Sequence, residues 1–243
     1  MNDGIIIQQV YKNRDWLWNV PYGAALDLVY ERHLKYSKKW NFDYLVARGE
    51  VKVEWKPNNG GWAKLELIRQ ALAKGYKYIC WIDADAVIVD MNTDLRTGCP
   101  EGLGMVMHTG PLTPGPHLNV GIMLMQNTPR VRELFDEWVT RYPGTQEFPW
   151  HEQGEAHKLA HDPKWKGVII QIDKKWNSCV AALTHVDDAV IEGWHGMGDP
   201  TQRLEQMRRY MTDVLHEPIE LEGGLSRPRA KRGEVEKVAI GDR

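Results

Sequence analysis

The sequence predicts an α/β fold, a mixed and mostly parallel sheet flanked by helices, and three observations predict it. Apolar runs of strand length, at 4–10, 42–47 and through Tyr78-Ile79-Cys80-Trp81-Ile82, alternate with stretches of helical period. Parallel neighbours need a crossover connection, so regular alternation of strand and helix points to parallel pairing. With 243 residues, 42% hydrophobic and 26% charged, the chain can close one core of ordinary globular composition. We therefore expect a single domain over 1–216, and a flexible tail over 217–243, where Gly, Pro, Arg, Lys and Glu take over.

Gly4-Ile5-Ile6-Ile7-Gln8-Gln9-Val10 reads as the first strand, followed by a loop carrying Tyr11, Arg14, Trp16 and Trp18. In a nucleotide-dependent α/β enzyme that loop is where a base lies, with Tyr11 a stacking candidate; a surface loop pinned by its tryptophans is the alternative. Pro21 opens a helix reaching Trp40, with Ala25, Leu28, Val29 and Leu34 on the apolar face. A strand over 42–47 and the loop Asn58-Asn59-Gly60-Gly61 lead to a second helix, 62–74, stopped by Gly75.

The stretch from Tyr76 to Val89 is the centre of the chain. It reads as a buried strand that carries Asp83 and Asp85 to its carboxy-terminal end, where open α/β sheets bind ligands. Two residues apart on a strand, the carboxylates would share a face, roughly 7 Å apart. Two acids so placed repel and lose hydration unless a cation or donors satisfy them, and a divalent metal is the simplest partner. The alternative is that one caps a helical turn and the other is solvated.

Further on, 104–108 and His117–Met125 read as strands, with Asn119 a lone polar residue near the start of the second. Asn127-Thr128-Pro129 caps a helix running to about Tyr142, with Val131, Leu134, Phe135 and Trp138 inward. Trp150-His151-Glu152-Gln153 starts another helix, 168–172 and 189–196 are strands, and 201–215 is a charged amphipathic helix. His151, His157 and His161 share helical spacing but lack the glutamate of a zinc-protease helix, so they read as solvated.

Composition narrows the function classes. A net charge of −2 excludes a chain that is wholly a nucleic-acid-binding module. Cys80, Cys99 and Cys179 have no zinc-like spacing and read as reduced thiols. No apolar run approaches the ~18 residues of a membrane span, so the expectation is a cytoplasmic protein. Eleven tryptophans against three phenylalanines suit both a core and a sugar-binding surface.

A buried strand ending in Asp-x-Asp resembles the DxD motif of GT-A nucleotide-sugar glycosyltransferases, whose Rossmann-like fold has the layout expected here. The order of motifs is more particular: Trp62-Ala63-Lys64, Asp83-Ala84-Asp85, Leu118-Asn119-Val120-Gly121, Glu152-Gln153, Trp176-Asn177 and Trp194-His195-Gly196. That series, over residues 4 to 212, resembles glycosyltransferase family 34, which includes plant xylosyltransferases and yeast galactosyl- and mannosyltransferases.

The resemblance implies a metal-dependent, retaining transfer of a hexose or pentose from a nucleoside-diphosphate sugar, UDP-linked, to an acceptor. Asp83, Asp85 and His195 would hold Mn²⁺ or Mg²⁺. Lys64, Tyr11, Gly196 and Arg203 would lie around the nucleotide and phosphates. Asn119, Glu152 and Gln153 would face the donor sugar, with Gln153 stabilising the reacting face and Glu152 either a nucleophile or a sugar ligand. Relatives place a basic residue soon after the late histidine; here 197–200 has none, and Arg203 is the nearest. The acceptor is open between a glycan, a lipid-linked saccharide, a protein and a modified nucleic acid. The run Arg227-Pro228-Arg229-Ala230-Lys231-Arg232 offers charge for a polyanion, with a disordered tail as the alternative.

Two other readings remain. Asp83 and Asp85 also match the first motif of haloacid-dehalogenase-type phosphatases, with Val186-Asp187-Asp188 as the late acidic motif, although about eighty residues precede this DxD where that family has few. A non-catalytic nucleotide-sugar-binding protein is the third.

Overall fold

The computed structural model describes residues 2–10, 22–49, 60–109, 115–142, 152–179, 184–195, 199–216 and 235–238. Seven strands form the main sheet in the order β10-β2-β1-β3-β6-β5-β7. They are β1 (Gly4–Val10), β2 (Phe42–Arg48), β3 (Tyr78–Ile82), β5 (Leu103–His108), β6 (His117–Gln126), β7 (Ile169–Gln171) and β10 (Val235–Val238). β1, β2 and β3 are parallel, β6 runs against β3 and β5, β7 is parallel to β5, and β10 is antiparallel to β2. The sheet is thus mixed and mostly parallel, as expected. β10 falls within the segment read as a tail, most of which lies outside the described residues.

Each sheet face buries alternate residues, as a two-residue side-chain period requires. Ile6, Tyr44, Cys80 and Ile82 pack toward α1 (Tyr22–Trp40) and α5 (Pro200–Arg209). Ile5, Ile7, Ile79 and Trp81 pack toward α2 (Gly60–Ala73), α3 (Pro129–Thr140) and α4 (Glu152–His161). α3 starts as its sequence predicts, but the capping side chain is Thr128, which accepts from Val131 N. Asn127 instead donates to the carbonyls of Leu72 and Tyr76, tying the end of α2 to the sheet. The helix expected over 201–215 is α5, capped by Asp199, followed by a wider helical turn, Tyr210–Val214.

The buried strand expected to carry Asp83 and Asp85 at its carboxy-terminal end stops at Ile82, before both. Asp83 N–H donates to Gly121 O, and Ala86 N–H turns back to Asp83 O. The chain then enters a second, three-stranded sheet, β4-β9-β8, made of β4 (Ala86–Ile88), β9 (Ile191–Gly193) and β8 (Ser178–Cys179). Asp83 and Asp85 therefore sit in a turn between two sheets. Strand alternation does not set their separation. The late strand read over 189–196 shortens to β9, which leaves His195 just past its end.

Candidate metal and donor site

Asp83, Asp85 and His195 each bring one ligand atom to a single point, all within 4.8 Å of one another. The turn after β3 supplies the carboxylates, and β9, pairing antiparallel with β4, returns the chain so that His195 stands opposite them. His195 Nδ1 lies 3.3 Å from Asp85 Oδ1. A side chain at Gly121 or at Gly193 would overlap the imidazole, so two glycines form the slot that holds the ring. Oxygen and imidazole donors of this kind fit a divalent cation such as Mn²⁺ or Mg²⁺.

Asp85 is buried. Burial alone would raise its pKa, but His195 and the Arg203 guanidinium outweigh it and hold the carboxyl well below the usual range. Arg203 reaches the turn from the first turns of α5, with Nη1 2.5 Å from Asp85 Oδ2 and 3.1 Å from Tyr22 Oη. Asp83 is held from the other side: Oδ1 accepts from Trp81 Nε1 at 2.7 Å and from Lys64 Nζ at 3.2 Å.

Lys64 joins this turn to α4. Its buried ammonium also lies 3.4 Å from Glu152 Oε1 and donates to Val120 O. Burial pushes the amine toward neutrality, but Asp83 and Glu152 outweigh it and raise its pKa. Glu152 itself is pushed up by burial, with Lys64 opposing. Its carboxylate is tucked against the first turn of α2, where a side chain on Gly61 would overlap it. Gln153 Oε1 accepts from Val120 N–H at 3.2 Å. Asn119 Oδ1 accepts from Gly121 N–H and from Asn177 Nδ2.

The fold thus gathers Lys64, Asp83, Asp85, Asn119, Glu152, Gln153, His195 and Arg203 around one end of β3 and the start of β6. Tyr11 and Gly196 lie outside the described residues. Asp187 and Asp188, the second half of the phosphatase reading, are exposed in another turn and do not belong to the acidic cluster.

Three supporting residues carried no role in the sequence reading. Gln8, fully buried in β1, donates to Asp83 O and accepts from the hydroxyl of Tyr44. His33 Nδ1 is 2.8 Å from Gln8 Oε1, while His33 Nε2 accepts from Ile88 N–H. Asn177 bridges Asn119 and His195. A glutamine inside an apolar strand, and a histidine in phase with Leu26, Val29, Tyr30 and Tyr36, were the available signals for the first two.

Comparison with known proteins adds the chemistry class. The model of the galactosyl transferase GMA12/MNN10 family matches residues 5–99, which include Lys64, Asp83 and Asp85. Galactomannan galactosyltransferase 1 of Cyamopsis tetragonoloba is 28% identical over 139 residues, covering 51% of this chain and 30% of the relative. The solved structure of a glycosyltransferase involved in glycosylation of the major capsid of PBCV-1 superposes with a TM-score of 0.60. That likeness covers 84% of this chain and 98% of the other, and at 17% identity it establishes the fold alone. The family match and the relative both point to a glycosyltransferase resembling family 34, and the solved structure shares the fold. This chain spans less than a third of its curated relative, and the family match ends before Asn119. Among the described residues no helix is long and apolar enough to cross a membrane.

Proposed function

We propose that this chain is a metal-dependent glycosyltransferase that moves a hexose or pentose from a nucleoside-diphosphate sugar, UDP-linked, to an acceptor with retention of configuration. The observation that carries the reading is the convergence of Asp83, Asp85 and His195. Those three would hold Mn²⁺ or Mg²⁺, and the bound cation would supply Lewis-acid stabilisation of the leaving diphosphate.

The chain's own groups do the rest. Arg203 fixes Asp85 and stands beside the same point as a second positive charge for phosphate oxygens. Lys64 orients Asp83 and Glu152 together, so an error in one would displace the other. Gln153, with its carbonyl end committed to Val120 N–H, keeps its amide N–H groups for the donor sugar at the reacting face. Asn119 likewise has only its Nδ2 to offer. Glu152, paired with Lys64 at 3.4 Å, suits a ligand of the sugar hydroxyls better than a free nucleophile. Tyr11 and Gly196 complete the nucleotide side of this reading. The acceptor class we assign is a glycan, with a modified nucleic acid as the competitor.

A thermal-shift screen of nucleotides and nucleotide sugars, with and without Mn²⁺, tests the proposal. A ligand specific to the native state at a hundred times its Kd adds about 2.7 kcal/mol of apparent stability. Stabilisation by UDP or a UDP-sugar that requires Mn²⁺ and vanishes in Asp85→Ala is the expected result. Metal-independent binding that survives Asp85→Ala would overturn the metal site. No nucleotide response, with phosphate released from a simple phosphomonoester, would overturn the transferase reading.

A further inference from the structure

His195 offers a cation its Nδ1 only if that nitrogen carries no proton, and the structure supplies a chain of amides that decides where the proton sits. The chain starts at a group with no choice. Gly121 N–H is a donor, so the atom of Asn119 that meets it at 2.8 Å is the carbonyl oxygen. That oxygen also receives Asn177 Nδ2 at 2.9 Å. Asn177 must therefore turn its amino end to Asn119 and its Oδ1 to His195, where Nε2 lies 3.1 Å away. An acceptor at that distance requires Nε2–H. The remaining nitrogen, Nδ1, faces Asp85 Oδ1, 3.3 Å away, and is the one left for a cation to bind.

Neither amide can relax by recruiting water. Asn177 is fully buried, and Asn119 is 7% exposed. Asn177 is also held by its backbone, since its carbonyl accepts from His108 Nε2 at 3.0 Å. The geometry leaves Nδ1 as the nitrogen facing Asp85 Oδ1, where either a proton on Nδ1 or a cation between the two satisfies the carboxylate.

We infer that Asn177, oriented by Asn119, is a positioning residue that fixes His195 in the Nε2-protonated tautomer and so presents Nδ1 to the metal. It acts through His195 and touches no reacting atom. This rests on the reading that Asp83, Asp85 and His195 hold a cation. Loss of an outer hydrogen-bond partner of a metal-binding histidine costs metal affinity roughly 10- to 100-fold.

The test is Mn²⁺ binding to the full chain, measured by the electron paramagnetic resonance of free Mn²⁺, beside the melting temperature of the metal-free protein. Asn177→Leu removes the acceptor and should weaken Mn²⁺ roughly 10- to 100-fold. Asn119→Leu frees the Asn177 amide to flip, which presents N–H to Nε2 and favours a proton on Nδ1, so it should weaken Mn²⁺ by a similar factor. Asn119→Asp still accepts from Gly121 N–H and Asn177 Nδ2, so it should keep near-wild-type affinity. Rescue by aspartate but not by leucine is something a merely structural role would not produce. Should Asn177→Leu fail to fold, the two Asn119 variants carry the test alone. Wild-type affinity in both leucine variants, with His195→Ala weakened, overturns the inference and leaves the metal site standing. Wild-type affinity in His195→Ala overturns the metal site itself.

Discussion

Arg203 Nη1 lies 2.5 Å from Asp85 Oδ2, so the acid at the heart of the site is neutralised by its own chain. Asp85 is buried and Arg203 half-buried, with side chains 5% and 11% exposed, and removing the arginine strands a buried carboxylate at a cost of about 3–5 kcal/mol. Arg203→Met should therefore destabilise the protein by a few kcal/mol. Mn²⁺ should restore part of that loss, stabilising the variant more than it stabilises the wild type, because it replaces the missing positive charge. Urea unfolding with and without Mn²⁺ measures both quantities. An equal Mn²⁺ increment in the two proteins would count against Asp85 as a ligand.

Lys64 sits between two carboxylates, and the two substitutions it invites should not add. Lys64→Met leaves Asp83 and a buried Glu152 without their cation and should cost on the order of 3 kcal/mol. Glu152→Gln removes one charge and leaves Lys64 with Asp83, a smaller loss. In the double variant the stranded Glu152 charge is gone, so stability should recover above Lys64→Met alone by roughly 0.5–3 kcal/mol of coupling. Strict additivity in a double-mutant cycle would mean that Lys64 and Glu152 do not interact.

His33 makes stability depend on pH. Burial, with a smaller push from Arg32, lowers its pKa from 6.5 to about 3, and protonating Nε2 would cost the bond from Ile88 N–H. Between those values the unfolded chain binds a proton that the folded chain refuses, so stability rises with pH. This contribution is complete above about pH 6.5 and is lost as the pH falls toward 3, at up to about 1.4 kcal/mol per unit. His33→Gln should flatten the slope between pH 6.5 and 4 in denaturant titrations. An unchanged slope would show that another group governs it.

Gly193→Ala should displace the His195 ring, because the new methyl would overlap the imidazole wedged beside it. We expect Mn²⁺ affinity to fall at least tenfold, with a melting temperature changed far less than in Lys64→Met. Isothermal titration with Mn²⁺ checks it, and wild-type affinity would mean that the ring finds the cation from another rotamer.

Much of the fold and of the site is written locally. The periods of β1, α1, β2, α2 and β6 fix those elements because each needs only its own spacing of apolar residues and its end signals. Asp83 and Asp85 announce themselves as acids closing an apolar run, and His195 as a histidine at the end of another. What the sequence could not hold is the turn at Asp83. The run from Tyr78 to Val89 has strand propensity on both sides of Asp83-Ala84-Asp85. Asp83 N–H still pairs with Gly121 O of β6, and the break follows it, where Ala86 N–H turns back to Asp83 O and β9 offers Ala86–Ile88 a second sheet.

The same distinction separates the ligands from their supports. Residue type marks a carboxylate or an imidazole as a candidate ligand wherever it stands. Asn177, Gln8 and His33 are ordinary residues until they are buried, because an amide or a neutral imidazole acquires direction only from partners 25 to 75 positions away that leave it one way to hydrogen-bond. The sequence by itself determined the layers of the fold and the chemistry of its candidate ligands. Tertiary structure alone decided how those ligands face each other, since a buried polar group takes its orientation from whatever surrounds it, and that is set by packing between distant segments.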